Sequence, residues 1–242
     1  MNLNDYLNHF KVSEEIIRQT MAEALSKGGD YCDIFFQHSI SDYIGLEDKE
    51  VNRAYSNIDM GVGVRVLNGN QTGYSFTEVI SPDAMKKAAQ TAANIAQHNK
   101  SYKPVELQEH FPANYYPIKT SWETVGIDEK IPYLQKINEK VFALDKRVIK
   151  ASISFTNQTS YILFANSEGR ITYDFQPMGQ ISVSCIAEQN GEREQNSFNL
   201  SGRNGIEFFT PENVDRLAKE AVESTVALFE AGKPEPGEME VV

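Results

Sequence analysis

Cysteine is scarce in this sequence: of 242 residues only Cys32 and Cys185 carry a thiol. Two cysteines so far apart give neither a disulfide framework nor a CxxC pair. They read as small hydrophobes packed inside a cytoplasmic protein. No apolar run approaches the roughly 18 residues that a membrane span requires. The N-terminus, MNLNDYLNHFKVSEE, has neither a basic start nor an apolar centre, so no signal peptide is read there. Positive charge is short as well. Lys and Arg number 23 against 34 Asp and Glu, a net charge of −11. A surface of that sign repels a phosphate backbone, and without a basic cluster nucleic acid is set aside as a partner.

Catalytic groupings are equally thin. None of the four histidines, His9, His38, His98 and His110, has a second histidine or a glutamate at metal-ligand spacing on a helix. His38 follows Gln37 at an expected strand end and reads as solvent-facing. Glu188, Glu192 and Glu194 flank the turn Gln189-Asn190-Gly191. Paired carboxylates can do acid–base work, but on a hairpin tip they read as a solvated charge cluster. GVGVRV lacks the third glycine and the following helix of a dinucleotide fingerprint. It reads as a strand with Val62, Val64 and Val66 on one face and Gly61, Gly63 and Arg65 on the other, the glycines admitting another backbone or a helix. No Ser/His/Asp arrangement or nucleophile elbow is visible. The residues by themselves therefore assign no catalytic, cofactor-binding or metal-ligating position.

What is abundant is patterning. Apolar spacing predicts a helix over 13–27 that Gly28-Gly29 ends. Strands are expected at 31–37, 41–47, 51–59, 61–67 and 71–77, with Asn68-Gly69-Asn70 as a hairpin loop. Ser81-Pro82 opens a helix whose stripe is Met85, Ala88, Ala89, Ala92 and Ala96. Residues 100–127 hold Pro104, Pro112, Pro117 and Gly126 and read as a connection. A helix over about 128–145 carries Leu134, Ile137, Val141 and Leu144 on one side. Strands follow at 148–157, 160–166, 170–176, 179–189 and 192–199, with a turn at Asn166-Ser167-Glu168-Gly169. In ISVSCIA, period-two alternation puts Ile181, Val183, Cys185 and Ala187 on one face. Thr210-Pro211 caps a last helix with Val214, Leu217, Ala218, Ala221, Thr225, Leu228 and Phe229 along it. A loop with Pro234 and Pro236 leads to a strand-like Met239–Val242. Helix, strands, helix is thus echoed twice, which predicts an α+β fold of largely antiparallel sheets flanked by helices. The expected division is 1–100, a connection over 101–127, and 128–242.

Four stretches in this order resemble one known family. LEDKEVNRAYSNIDMGVGVRVLNGNQTGYSF with the Ala-rich helix after it, FANSEG at 164–169, SGRNGIEFF at 201–209 and LFEAGKPEPGEMEVV at 228–242 are similar to the N-terminal region of TldD/PmbA family metallopeptidases, the TldD branch above all. The likeness runs from about Gly28 to Val242. It implies a peptidase working as a heterodimer of TldD-type and TldE (PmbA)-type subunits, which degrades or processes extended peptides inside a closed chamber. Such peptides would be held by main-chain hydrogen bonds, as an added strand. Some members carry an older label, modulator of DNA gyrase, and the acidic charge here gives no support to DNA contact.

The family's zinc motif, His-Glu-x-x-x-His on a helix with a cysteine further on, is absent from residues 1–242, and neither Cys32 nor Cys185 takes the ligand cysteine's place. The resemblance therefore implies zinc in the full-length family member and none in this chain. It transfers no catalytic residue. This chain is expected to be non-catalytic, supplying chamber wall and a subunit interface toward a TldE/PmbA-like subunit or a second copy. The alternative is a stand-alone module that binds peptide or partner through strand edges such as 239–242 or the glycine face of 61–65. A small-molecule-binding role has no motif behind it.

Overall fold

Local hydrogen bonds at the helix starts decide where the helices begin. The computed structural model describes residues 1–47, 49–95, 103–111, 113–232, 237–238 and 240. A first helix, α1 (Leu3–Phe10), precedes anything the apolar spacing from 13 onward predicts. Asn2 Oδ1 accepts from the Asp5 N–H at 3.2 Å and the Asp5 carboxylate accepts from the Asn2 N–H at 2.7 Å, a reciprocal cap. Leu3, Tyr6 and Phe10 bury one face of this short helix. The hydroxyl of Ser13 caps α2 (Glu14–Leu25) and that of Ser81 caps α3 (Pro82–Ile95), at 3.3 Å each. After them come α4 (Ile127–Leu144) and α5 (Pro211–Val226), the latter capped by Thr210 at 3.1 Å with Pro211 at its first position. No helix among the described residues is long and apolar enough to cross a membrane.

The strands are longer and fewer than the sequence suggests. They are β1 (Tyr31–Glu47), β2 (Glu50–Asn68), β3 (Gln71–Thr77), β4 (Gln108–Glu109), β5 (Val148–Asn166), β6 (Arg170–Gln189) and β7 (Glu192–Arg203). Four pairs of expected strands have fused, because the expected gaps at 38–40, 60, 158–159 and 177–178 lie inside continuous strands. True reversals occur where a backbone can take positive φ: Lys49 (69°), Gly69 (54°), Gly169 (91°), and Asn190 with Gly191 (55° and 86°).

The sheet order is β3-β2-β1-β5-β6-β4, with β7 also on β6. Tight turns make β1/β2, β2/β3, β5/β6 and β6/β7 antiparallel. In β1/β5 the partner numbers fall as β1 advances. Cys32 O accepts from the Ser167 N–H at 2.8 Å, Ser39 and Ser160 share a hydroxyl bond at 2.8 Å, and Lys150 pairs with Glu47 at 2.5 Å. Only the two-residue β4 runs parallel to its neighbour. The expected α+β fold with largely antiparallel strands flanked by helices is what forms.

The residues group into two compact units. One comprises Met1–Ser41, Ser56–Pro117 and Gln158–Met178; the other Asp42–Tyr55, Ile118–Asn157 and Gly179–Val242. In the first, Ile17, Met21 and Leu25 of α2 and Met85, Ala89 and Ala92 of α3 bury against Cys32, Ile34 and Phe36 of β1 and Val62, Val64 and Val66 of β2. In the second, Leu134, Ile137 and Val141 of α4 and Val214, Leu217 and Ala221 of α5 bury against Ala151, Ile153 and Phe155 of β5 and Ile181, Val183 and Cys185 of β6.

Two expectations fail in detail, and a third falls largely outside the described residues. Leu144 is 51% exposed, because α4 ends on it and the chain turns away into an extended Asp145. α5 stops at Val226, leaving Leu228 and Phe229 half-buried in a 3-10 turn. Of the expected strand at 239–242 and the stripe residue Ala96, only Glu240 lies within the described residues, and it belongs to no regular element.

His38 also departs from expectation. It does not face solvent at a strand end but sits within β1. Its Nδ1 is 2.8 Å from Nε2 of His9, whose ring stacks on Tyr161 with centroids 4.3 Å apart. One imidazole must donate and the other accept, so the bond requires at least one neutral ring. Partial burial, then the proximity of His38, lowers the His9 pKa from 6.5. The unfolded chain thus takes up this proton first as pH falls. The pair's stabilisation is full above about pH 6.5 and is lost as pH falls toward the folded value. We expect the thermal midpoint to fall between about pH 7.5 and 5.5. His9→Phe, which keeps the stacking, should flatten that slope relative to the unmodified chain.

Lys130 lies on the apolar stripe of α4 and is fully buried. Its ammonium donates to Asp42 at 2.8 Å and to Asn157 Oδ1 at 3.0 Å, and faces the Trp122 ring at 5.9 Å. Removing the carboxylate leaves a charge in a dry site, which costs far more than losing an exposed pair. Asp42→Ala should lower unfolding free energy by about 3–5 kcal/mol in chemical denaturation. Lys130→Met in the same background should recover part of that loss.

Candidate functional site

A metal centre is the first possibility to weigh, and the donors present do not fit one. Among the described residues no three His, Cys, Asp or Glu side chains converge. His9 and His38 each spend a ring nitrogen on the other. His110 is exposed beside β4, and His98 lies outside the described residues. Burial pushes the thiols of Cys32 and Cys185 up, so neither supplies a thiolate ligand or nucleophile near neutral pH. Glu188 is paired with Arg193 at 2.7 Å, and Glu192 is exposed at the same hairpin. Ser39 and Ser160 bond one another. No histidine faces either hydroxyl, so no nucleophile–base couple is assembled from them.

What the strands do build is an open sheet face. In the first unit β2 sends Val62, Val64 and Val66 into the core, so Gly61, Gly63 and Arg65 point the other way. The loop Gly69-Asn70 sets the β2/β3 register, with Phe76 opposite Gly63 and Tyr74 opposite Arg65. Directly opposed residues share a face. Phe76, 66% exposed, and Tyr74, 57% exposed, therefore stand on the glycine side. A Cβ on Gly63 would come within 2.7 Å of the Tyr74 hydroxyl, so the phenol lies across the glycine. Gly63 admits a side chain of the neighbouring strand, and Gly61 admits that strand's backbone, with a Cβ there 3.0 Å from Thr77 O, so the expected close backbone approach is met at Gly61 alone.

Across the glycines stands Phe35 of β1, 40% exposed. Together these walls enclose a groove of about 370 Å³ that also takes in Ser39, Gln158, Asp59 and Glu78. Farther along the face, Arg65 is held by Asp33, with Nε 3.0 Å from Oδ2.

The second unit has a separate, more polar hollow of about 300 Å³, floored by Ser152 and Ser154 of β5 and Ser182 and Ser184 of β6, with Gly45 and Arg53 beside them. Glu47 at its rim accepts from Lys150 and from Asn52, and the Lys150 bond holds its carboxyl below the usual range. Hydroxyls and amides of this kind bind by hydrogen bonding and carry no reactive group.

The sequence signal for the groove was available. Once the hairpin loop is placed at 69–70, counting back along β3 puts Tyr74 and Phe76 opposite the glycine–arginine face of β2. No such count reveals the His9–His38 pair, which is brought together across 29 residues.

With the geometry in place, comparison with known proteins is informative. Residues 32–96 match the family model described as PmbA/TldA metallopeptidase domain 1, and residues 120–229 match the PmbA/TldA metallopeptidase central domain. A metalloprotease TldD homolog of Haemophilus influenzae is 30% identical over 221 residues, covering 88% of this chain and 46% of that protein. The crystal structure of a Thermotoga maritima protein described as a candidate modulator of a DNA gyrase superposes with a TM-score of 0.70 at 21% identity, covering 93% of this chain and 50% of that one. TldE from Thermococcus kodakarensis shares the fold at a TM-score of 0.60 and 15% identity, over 87% of this chain and 47% of its own. The chain spans about half the length of the relatives it matches. It belongs to the PmbA/TldD metallopeptidase family, of which it carries the first and central domains.

Proposed function

We infer that this chain is the non-catalytic N-terminal portion of a TldD-like zinc metallopeptidase that degrades or processes extended peptides. Its role is to form chamber wall and subunit interface. The observation that carries this reading is the pairing of two family domains with a donor set that does not fit zinc. Catalytic zinc and the residues that bind it would then belong to the rest of the full-length enzyme. The division into 1–100, a connection over 101–127, and 128–242 belongs to this reading; the matches at 32–96 and 120–229 support two successive family regions with a boundary between residues 96 and 120.

The partner is a TldE/PmbA-like subunit or a second copy of this chain. The fold shared with TldE supports a common architecture for the two kinds of subunit. Two grooves on sheet faces, one with aromatic walls and one lined with serines, support a role in lying against extended polypeptide.

Metal analysis after dialysis tests the core of this reading. The purified chain should retain no stoichiometric zinc and should leave a fluorogenic peptide uncut. One tightly bound zinc per chain, or peptidase activity that copurifies with it, would overturn the non-catalytic assignment. Mixing with a TldE-type subunit should give a complex whose mass by light scattering is the sum of the two chains.

A further inference from the structure

The groove of the first unit has a chemical bias that the family assignment does not supply. Its walls are the exposed rings of Phe35, Tyr74 and Phe76, and the last two lie nearly parallel with centroids 6.5 Å apart. Gly61 and Gly63 contribute no side chains to its floor, and the Tyr74 phenol lies across Gly63. At one end stand two carboxylates. Glu78 continues β3 beside Gly61, where a Cβ would lie 3.6 Å from the Glu78 Cα. Asp59 precedes Gly61 by two residues and so shares its face. Asp59 accepts only from the neutral amide of Asn57, at 2.6 Å, among the bonds described, and Glu78 has no ion-pair partner among the described residues.

Among the described residues no Lys, Arg or His lines the groove. On the same face Arg65 is bound through two of its nitrogens to Asp33. The negative charge at the mouth is therefore uncompensated from within. Aromatic faces attract cations through their quadrupole, and carboxylates attract them directly. An anionic or purely aliphatic occupant would gain from one set of walls and lose at the other.

We propose that this groove is a specificity subsite for a cationic side chain, lysine or arginine, presented by an extended peptide. The inference deepens the peptide-handling reading above and takes its natural occupant from it. The site itself is tested with a probe that is not a peptide chain. The methylene stem of lysine or arginine packs on Phe35 and Phe76, and the charged head reaches Asp59 and Glu78. Gln158 and Ser39 are left as hydrogen-bonding groups on the floor.

The experiment is a titration of the isotopically labelled chain with blocked lysine, Nα-acetyl-lysine-N-methylamide, following the amide signals of Gly61 and Gly63. Blocked glutamine serves as the uncharged control. Saturable shifts with the lysine probe, about three- to tenfold weaker binding of the glutamine probe, and loss of that preference in Asp59→Asn/Glu78→Gln are expected. Phe76→Ala should weaken the lysine probe with the carboxylates intact. Added salt should weaken lysine binding and leave glutamine binding unchanged.

No response to the lysine probe, equal response to both probes, or a preference that survives the double substitution would each overturn the proposal. A neutral blocked octapeptide separates the two readings. If it fails to bind while the lysine probe binds the groove, the subsite stands and the peptide-handling role falls. If it binds while the lysine preference is absent, the reverse holds.

Discussion

Period-two alternation along four long strands is the constraint from which the rest of the molecule follows. In β1 and β2 the deeply buried apolar residues fall on even numbers: Cys32, Ile34, Phe36, Ile44 and Leu46, then Val62, Val64 and Val66. In β5 and β6 they fall on odd numbers: Ala151, Ile153, Phe155, Leu163 and Ala165, then Ile171, Ile181, Val183 and Cys185. The parity runs from Cys32 to Leu46 in β1, Ala151 to Ala165 in β5 and Ile171 to Cys185 in β6, and over Val62 to Val66 in β2, whose residues 50–59 are exposed. A single inserted residue would turn every later side chain to the wrong face. Antiparallel pairing of an even-parity strand with an odd-parity one then follows at β1/β5, where Cys32 meets Ser167 and Ser39 meets Ser160. The helices complete this arrangement by covering the apolar parity. α1, α2, α3 and α5 each begin at a side-chain cap that satisfies an N–H group the helix itself cannot.

The other parity is where function has room to act. Helices cover one face, and the remaining residues are small, polar or aromatic: Gly61 and Gly63, Ser152 and Ser154, Tyr74 and Phe76. Antiparallel sheets tolerate one solvated face, which is why such a surface can persist without a packed layer over it. Exposed rings carry a cost in water that solvated serines do not. A sheet that keeps both carries a surface in which chemistry differs from place to place. That difference is what lets one stretch favour cations and aromatic contact while another offers only hydroxyl bonding.

Legibility from sequence tracked the range of the interaction involved. The caps at Ser13, Ser81 and Thr210 were readable because each bond spans three residues. The hairpin loop at Gly69-Asn70 was readable because a two-residue reversal has few chemical solutions. The strand gaps expected at 38–40, 60, 158–159 and 177–178 do not form, because an interruption of the apolar alternation does not interrupt backbone pairing. Lys130 had a readable signal, since it occupies the stripe spacing of Leu134, Ile137 and Val141. A lysine there needs a buried partner, but nothing in the spacing names Asp42 or Asn157, 88 and 27 residues away.

Among the described residues, the side chains that could do reaction chemistry are tied into structural contacts. A hydrolytic metal site needs several donors deprotonated at neutral pH and free to turn toward one point. Here burial holds the thiols protonated, and the two histidines best placed to cooperate bond to each other. Lys130 and Arg65 are likewise committed to carboxylates. Reactive side chains have been used as fasteners, which secures the sheet and removes them from catalysis. The groups left uncommitted, the rings of Tyr74 and Phe76 with the carboxylates at the mouth of their groove, act through shape and charge.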